Sequence, residues 1–207
     1  MFANIKAYCD TIINEFVNIP SNRKEVLGKI ADYIISKNNL PVNLVYICTH
    51  NSRRSHFGQV WANVASSYYK IKNINSFSGG TEATSFNLNA INALNRIGFS
   101  VESLTENENP VYQVAYGDNE EPIECFSKVY NNSINPQKDF AAIMTCSDAD
   151  ENCPFIEGAE IRIATTYNDP KMFDNTPMQD EMYDERCRQI ATETFYVFSR
   201  INIKKID

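Results

Sequence analysis

The chain has 207 residues, a formal net charge of −7, and is 43% apolar and 12% aromatic. That length suits one large domain or one domain with additions, and the apolar share is ample for a sizeable core. The acidic balance, with no basic block to offset it, argues against general nucleic-acid binding. The lack of any run of about 18 apolar residues argues against a membrane span.

The N-terminus, Met1-Phe2-Ala3-Asn4-Ile5-Lys6, has no basic region followed by an apolar core, so no signal peptide is expected. A reducing, cytoplasmic setting is the default for the six cysteines, Cys9, Cys48, Cys125, Cys146, Cys153 and Cys187.

Ile5, Cys9, Ile12, Ile13 and Phe16 follow helical spacing, and Leu27, Ile30, Ala31 and Ile34 repeat it after a break at Pro20-Ser21. Asn22, with Glu25 three positions on, is the expected cap of the second helix. Residues 1–40 therefore read as an N-terminal helical extension, joined through Asn38-Asn39-Leu40-Pro41 to a main domain at 41–207. An apolar strand leads into Cys48, and a helix is expected through Val60, Trp61, Val64 and Ala65. Ile74 to Phe77 is a short strand closed by Gly79-Gly80, and Leu88, Ile91 and Leu94 mark a helix stopped near Gly98. Residues 102–137 are polar and turn-rich, with alternation at Tyr112–Tyr116, and are expected to form an inserted lid or small hairpin. Phe140–Met144 and Glu160–Ala164 are further strands, and Ile190, Ala191, Thr194, Val197 and Phe198 mark a last helix. Strands alternating with helices imply a three-layer α/β fold with a parallel sheet.

The chemistry starts at Cys48-Thr49-His50-Asn51-Ser52-Arg53-Arg54-Ser55, between strand and helix. Backbone N–H groups of a tight loop, with the N-terminus of the following helix, can surround a tetrahedral oxyanion. Arg54 can grip two of its oxygens, and the same field favours thiolate at Cys48. Arg53 beside Arg54 makes a local positive spot in an acidic protein. The plain alternative is a buried cysteine in a turn next to a solvated arginine.

A second constellation, Cys146-Ser147-Asp148-Ala149-Asp150-Glu151-Asn152-Cys153-Pro154, follows directly on a buried strand. Its polar positions suggest a mobile, solvated loop. A redox pair, two unrelated thiols, or a zinc site short of ligands are the readings open here. Loops at the C-terminal ends of parallel strands gather on one edge, so Cys48 and Cys146 can meet. Asp169-Pro170 is a common turn dipeptide, and a carboxyl over the cradle could also protonate a leaving oxygen. His50 reads as a wall of the loop and His56 as an exposed residue of the first helical turn. Cys9 and Cys187 lie within helical patterns as core thiols, whereas Cys125 fits no pattern.

Together these residues resemble the low-molecular-weight protein tyrosine phosphatase superfamily, and within it the thioredoxin-coupled arsenate reductases most closely. The resemblance runs from about Pro41 to the C-terminus, leaving out the two N-terminal helices. It implies a flavodoxin-like, four-stranded parallel sheet of the phosphotyrosine phosphatase I-like kind. It implies that Cys48 is the nucleophile, that Thr49, His50, Asn51, Ser52, Arg53, Arg54 and Ser55 bind the oxyanion, and that Asp169 is the general acid. Cys146 and Cys153 match the redox pair of the reductases.

No tightly bound cofactor is implied, but an external thioredoxin-like dithiol is. Some such reductases hold a potassium ion. Asn51 and Ser78 fit its ligand positions, while Gln59 stands where a carboxylate belongs, which leaves that site doubtful. The expected activity is arsenate reduction by a relay through Cys48, Cys146 and Cys153. The alternatives are hydrolysis of phosphomonoesters through a phosphocysteine, or a non-catalytic oxyanion-sensing module. The oligomeric state is open.

Overall fold

Four strands form a parallel sheet in the order β2-β1-β6-β7: β1 (Val42–Cys48), β2 (Ile74–Gly80), β6 (Phe140–Met144) and β7 (Ala159–Ala164). This computed structural model describes residues 1–38, 40–153 and 155–203. Asn39 of the expected junction and Pro154 of the second cysteine motif lie outside them, as do residues 204–207. The central strands β1 and β6 are almost wholly apolar because both of their faces are covered.

Successive residues serve opposite faces. Leu44, Tyr46, Ala141, Ile143 and Ile163 join the large core under α3 (Arg54–Tyr68) and α6 (Gln179–Ile203). Val45, Ile47, Phe140, Ala142 and Met144 join a smaller core on the other face. That second core is closed by α5 (Ser147–Asn152), a six-residue helix, where the sequence suggested a mobile loop. The helix is short and acidic, and Ala149 is its buried residue, so it leaves no apolar period to detect.

The N-terminal segment forms α1 (Ala3–Ile12), a 3₁₀ turn at Ile13–Asn18 and α2 (Ser21–Ser36). Asn22 is not the cap of α2. The helix begins one residue earlier behind Pro20, and the Asn22 side chain accepts from the Arg23 amide instead. α4 (Leu88–Ile97) is bounded as its sequence suggests. The Asn87 side chain accepts from the Asn89 and Ala90 amides, and Gly98 closes the helix at φ +115°.

The polar stretch after α4 is a small antiparallel sheet of three strands, β3 (Ser100–Ser103), β4 (Tyr112–Ala115) and β5 (Ile123–Cys125), rather than a lid or single hairpin. Its end returns to the main sheet. Gly80 donates to the Lys128 carbonyl and accepts from the Tyr130 amide, both at 2.8 Å. Among the described residues, no helix is long and apolar enough to cross a membrane.

Candidate active site

Cys48 is the last residue of β1 and Arg54 the first of α3, so five residues turn the chain between them. Their carbonyls are tied outward. Thr81 N–H donates to Cys48 O (3.1 Å), Glu82 N–H to Thr49 O (2.8 Å) and Asn87 N–H to Ser52 O (3.0 Å). The His50 carbonyl takes the hydroxyls of Ser127 (2.8 Å) and Thr84 (3.2 Å). In a trans peptide the N–H points opposite the carbonyl, so these bonds turn the amides of Thr49, His50, Asn51 and Arg53 toward the loop's centre.

Two backbone positions allow the turn. Asn51 sits at φ +44°, a left-handed conformation that asparagine tolerates. A Cβ on Gly80 would lie 2.6 Å from the Thr49 carbonyl and 2.8 Å from the Asn51 amide, so only glycine lets β2 back the loop this closely.

Cys48 Sγ lies 3.1 Å from Ser55 Oγ, and Asn51 Nδ2 donates to the same hydroxyl oxygen at 2.8 Å. With Asn51 on its acceptor side, Ser55 is free to donate its proton to a thiolate. Arg54 is buried. Its Nη1 donates to the Tyr167 carbonyl at 2.8 Å and its Nη2 to Asp169 Oδ2 at 2.6 Å, while its Nε makes no hydrogen bond to the described protein. Asp169 also caps a 3₁₀ turn (Pro170–Phe173) by accepting from the Lys171 amide.

Arg53 turns away. Its Nε donates to Tyr183 OH at 2.7 Å and its Nη2 to Asp174 at 3.4 Å. The positive spot read from the adjacent arginines is thus offset by Asp169 and Asp174, and Arg53 offers the loop its backbone rather than its guanidinium.

His56 is not exposed, contrary to its sequence reading. It is fully buried, its ring centre 4.1 Å from that of Phe86 and tilted against it, with Nδ1 3.2 Å from Ser78 Oγ. Burial first, and then the charge of Lys128, push its imidazole well below the usual histidine range, so it stays neutral. The segment 81–87 folds over the first turn of α3, a long-range event that helical spacing does not reveal. His50 keeps its place on the loop wall, with Nε2 3.6 Å from Glu82.

Of the residues that the resemblance implied for potassium, Asn51 and Ser78 already have protein partners. Asn51 Oδ1 accepts the Lys128 amide at 2.9 Å and Ser78 pairs with His56, while Gln59 gives its Nε2 to the Glu124 carbonyl and keeps a buried Oε1 without a hydrogen-bond partner among the described residues. Lys128 is itself buried among these groups, a positive charge that disfavours a second cation. Nor does any group of three His, Cys, Asp or Glu residues among those described form a metal cage, as the zinc alternative would need.

The cysteines divide between the two faces of the sheet. Cys9, Cys125 and Cys187 lie in the large core, where burial pushes each thiol up to about 12. Cys125, unexplained in the sequence, is thus a core residue of β5. Cys48 and Cys146 share the small core, and half-buried Cys153 packs against it. Cys146 Sγ is 3.4 Å from the Thr49 hydroxyl and accepts the Ala149 amide at the start of α5.

Tyr167, Tyr183, Asp174 and Lys128 are supporting residues that the sequence did not disclose. Of these, only Tyr167, two residues before Asp169, stood near a recognised motif.

No family model matches the chain. It is 26% identical over 128 residues to arsenate reductase 2 of Staphylococcus epidermidis, covering 61% of this chain and 77% of that protein. It is 27% identical over 114 residues to arsenate reductase 2 of Staphylococcus haemolyticus, covering 55% and 66%. Among solved structures, it resembles an arsenate reductase in the phosphate-binding state at TM-score 0.50 and 15% identity, over 77% of this chain and 98% of that one. It also resembles a low-molecular-weight protein tyrosine phosphatase from T. tengcongensis at TM-score 0.52 and 14% identity, over 79% and 99%.

Proposed function

We propose that this member of the low-molecular-weight protein tyrosine phosphatase superfamily is an arsenate reductase working through three cysteines. The observation that carries the reading is the partition of thiols by the sheet: Cys48, Cys146 and Cys153 gather in one small core beside the anion loop, and the other three lie on the opposite face.

Arsenate enters the loop of residues 48–55 and takes over the fork of Arg54, displacing Asp169. The Cys48 thiolate then forms a sulfur–arsenic bond as Asp169 protonates the departing oxygen, which leaves as water. Cys146 attacks Cys48 Sγ. The sulfur–arsenic bond breaks with its electron pair staying on arsenic, so arsenite departs and a Cys48–Cys146 disulfide remains. Cys153 attacks Cys146, freeing Cys48 and leaving Cys146–Cys153 for an external thioredoxin-like dithiol to reduce.

Hydrolysis of phosphomonoesters is the second reading. The tetrahedral cradle favours it, since phosphate and arsenate share shape and charge. The two readings part at Cys146→Ser. In a reductase, this variant loses steady-state arsenite release with thioredoxin, its reductase and NADPH. Any hydrolysis of an aryl phosphate is retained, because the hydrolytic route does not use Cys146. Full arsenate turnover by the variant would overturn the relay. Strong aryl phosphate hydrolysis in wild type with no arsenate turnover would instead assign the chain to the phosphatases.

A further inference from the structure

We propose that the N-terminal helices serve the oxyanion site through Arg23, a positioning residue that holds the turn at 165–169 and, through it, Arg54. The inference rests on the cradle reading above, in which Arg54 grips the oxyanion.

Arg23 stands on α2, N-terminal to the stretch from about Pro41 that carries the sequence resemblance. Its Nε donates to both carboxylate oxygens of Glu193, at 3.1 and 3.0 Å, and its Nη2 donates to Glu193 Oε2 at 2.7 Å. The same Nη2 reaches the Thr165 carbonyl at 3.2 Å. The guanidinium lies 4.8 Å from the centre of the Tyr167 ring. Glu193, on α6, is buried, and its Oε2 also accepts the Tyr167 hydroxyl at 2.7 Å. The Tyr167 carbonyl in turn accepts Arg54 Nη1 at 2.8 Å. One continuous path of short polar contacts thus runs from α2 through α6 to the residue that closes the anion loop.

Each link has a physical reason to persist. Burial, then the Glu193 charge, raises the Tyr167 hydroxyl well above its ordinary value, so it remains a donor at any working pH. A guanidinium fork fixes the plane of the carboxylate it meets, which a lysine ammonium does not. Glu193 is then held in place to orient Tyr167, and the Thr165 contact ties the same guanidinium to the turn's first residue. The Arg54 fork is aimed only as well as the Tyr167 carbonyl is held. The helical segment is fastened to α6 at a second point, where Arg188 pairs with Glu15.

The test measures oxyanion affinity without relying on turnover. Reduced, full-length protein is treated with iodoacetamide over a range of inorganic phosphate, and alkylation is read on the Cys48 peptide by mass spectrometry. Tyr167→Phe, which keeps the carbonyl, and Arg23→Lys are each expected to raise the phosphate needed for half-protection about fivefold to tenfold, the worth of one well-placed hydrogen bond. The unprotected alkylation rate should stay at the wild-type value. The double variant should be no worse than the weaker single variant, since both cut one path.

Unchanged half-protection in both variants would overturn the proposal, and so would losses that simply add. A wild type that phosphate does not protect would overturn the cradle reading itself, a separate and recognisable failure.

Discussion

Cys48→Ser is expected to abolish arsenate turnover and any aryl phosphate hydrolysis together, by roughly 10⁴-fold or more, because both routes begin with the same attacking sulfur. A serine hydroxyl at the end of β1 would keep the contact with Ser55 but would not ionise near neutral pH. The substitution is nearly isosteric in a packed cluster, so the melting temperature should remain close to that of wild type. Steady-state assays of both reactions, with a thermal melt as control, check the result. An active Cys48→Ser protein would remove the nucleophile from the account.

Arg54→Lys is the second large effect. The guanidinium spans the Tyr167 carbonyl and Asp169 while its Nε has no hydrogen-bond partner among the described residues, and an ammonium cannot satisfy two fixed acceptors and also present a planar fork to an oxyanion. Loss of a preorganised donor of this kind is expected to cost about 10²–10³-fold in kcat/KM. Phosphate protection of Cys48 against alkylation should weaken in parallel. A variant with wild-type kcat/KM would show that Arg54 braces the Asp169 turn rather than holding the substrate.

Much of the site was legible because it is contiguous. The run from Cys48 to Ser55 carries nucleophile, loop and arginine in one stretch, and the apolar strands β1 and β6 announce the parallel sheet that positions it. What escaped depends on distant chain. His56 looked exposed because a helix's first turn usually meets solvent, yet every residue from Arg54 to Ala62 is buried here, His56 itself under Phe86 of a returning segment. The antiparallel sheet was only partly legible: alternation marks β4, but all three strands are three or four residues long and β3 is largely exposed. α5 was hidden for want of an apolar stripe. Tyr167, Glu193 and Arg23 come from three separate elements, and no local pattern links them.

The form of α5 bears on the relay. Cys146 precedes this helix and Cys153 follows it, seven residues on, so a helical rise of about 1.5 Å per residue keeps their Cα atoms roughly 10–11 Å apart, beyond the ~7 Å a disulfide can span. Closing Cys146–Cys153 therefore requires α5 to unwind. A six-residue helix is marginal by itself, so what holds α5 is the burial of Ala149 and the grip of Arg162, which donates to the Asp150 and Cys153 carbonyls and pairs with the Asp150 carboxylate. Opening of α5 would also carry the disulfide outward, toward a donor protein.

The most direct measurement is disulfide mapping after fully reduced protein is exposed to arsenate with no reductant present. The account predicts one arsenite released per chain, one disulfide joining Cys146 to Cys153, and Cys48 left free; in Cys153→Ser, the disulfide should stop at Cys48–Cys146. A main disulfide containing Cys9, Cys125 or Cys187, or arsenite released with all six thiols still reduced, would contradict it.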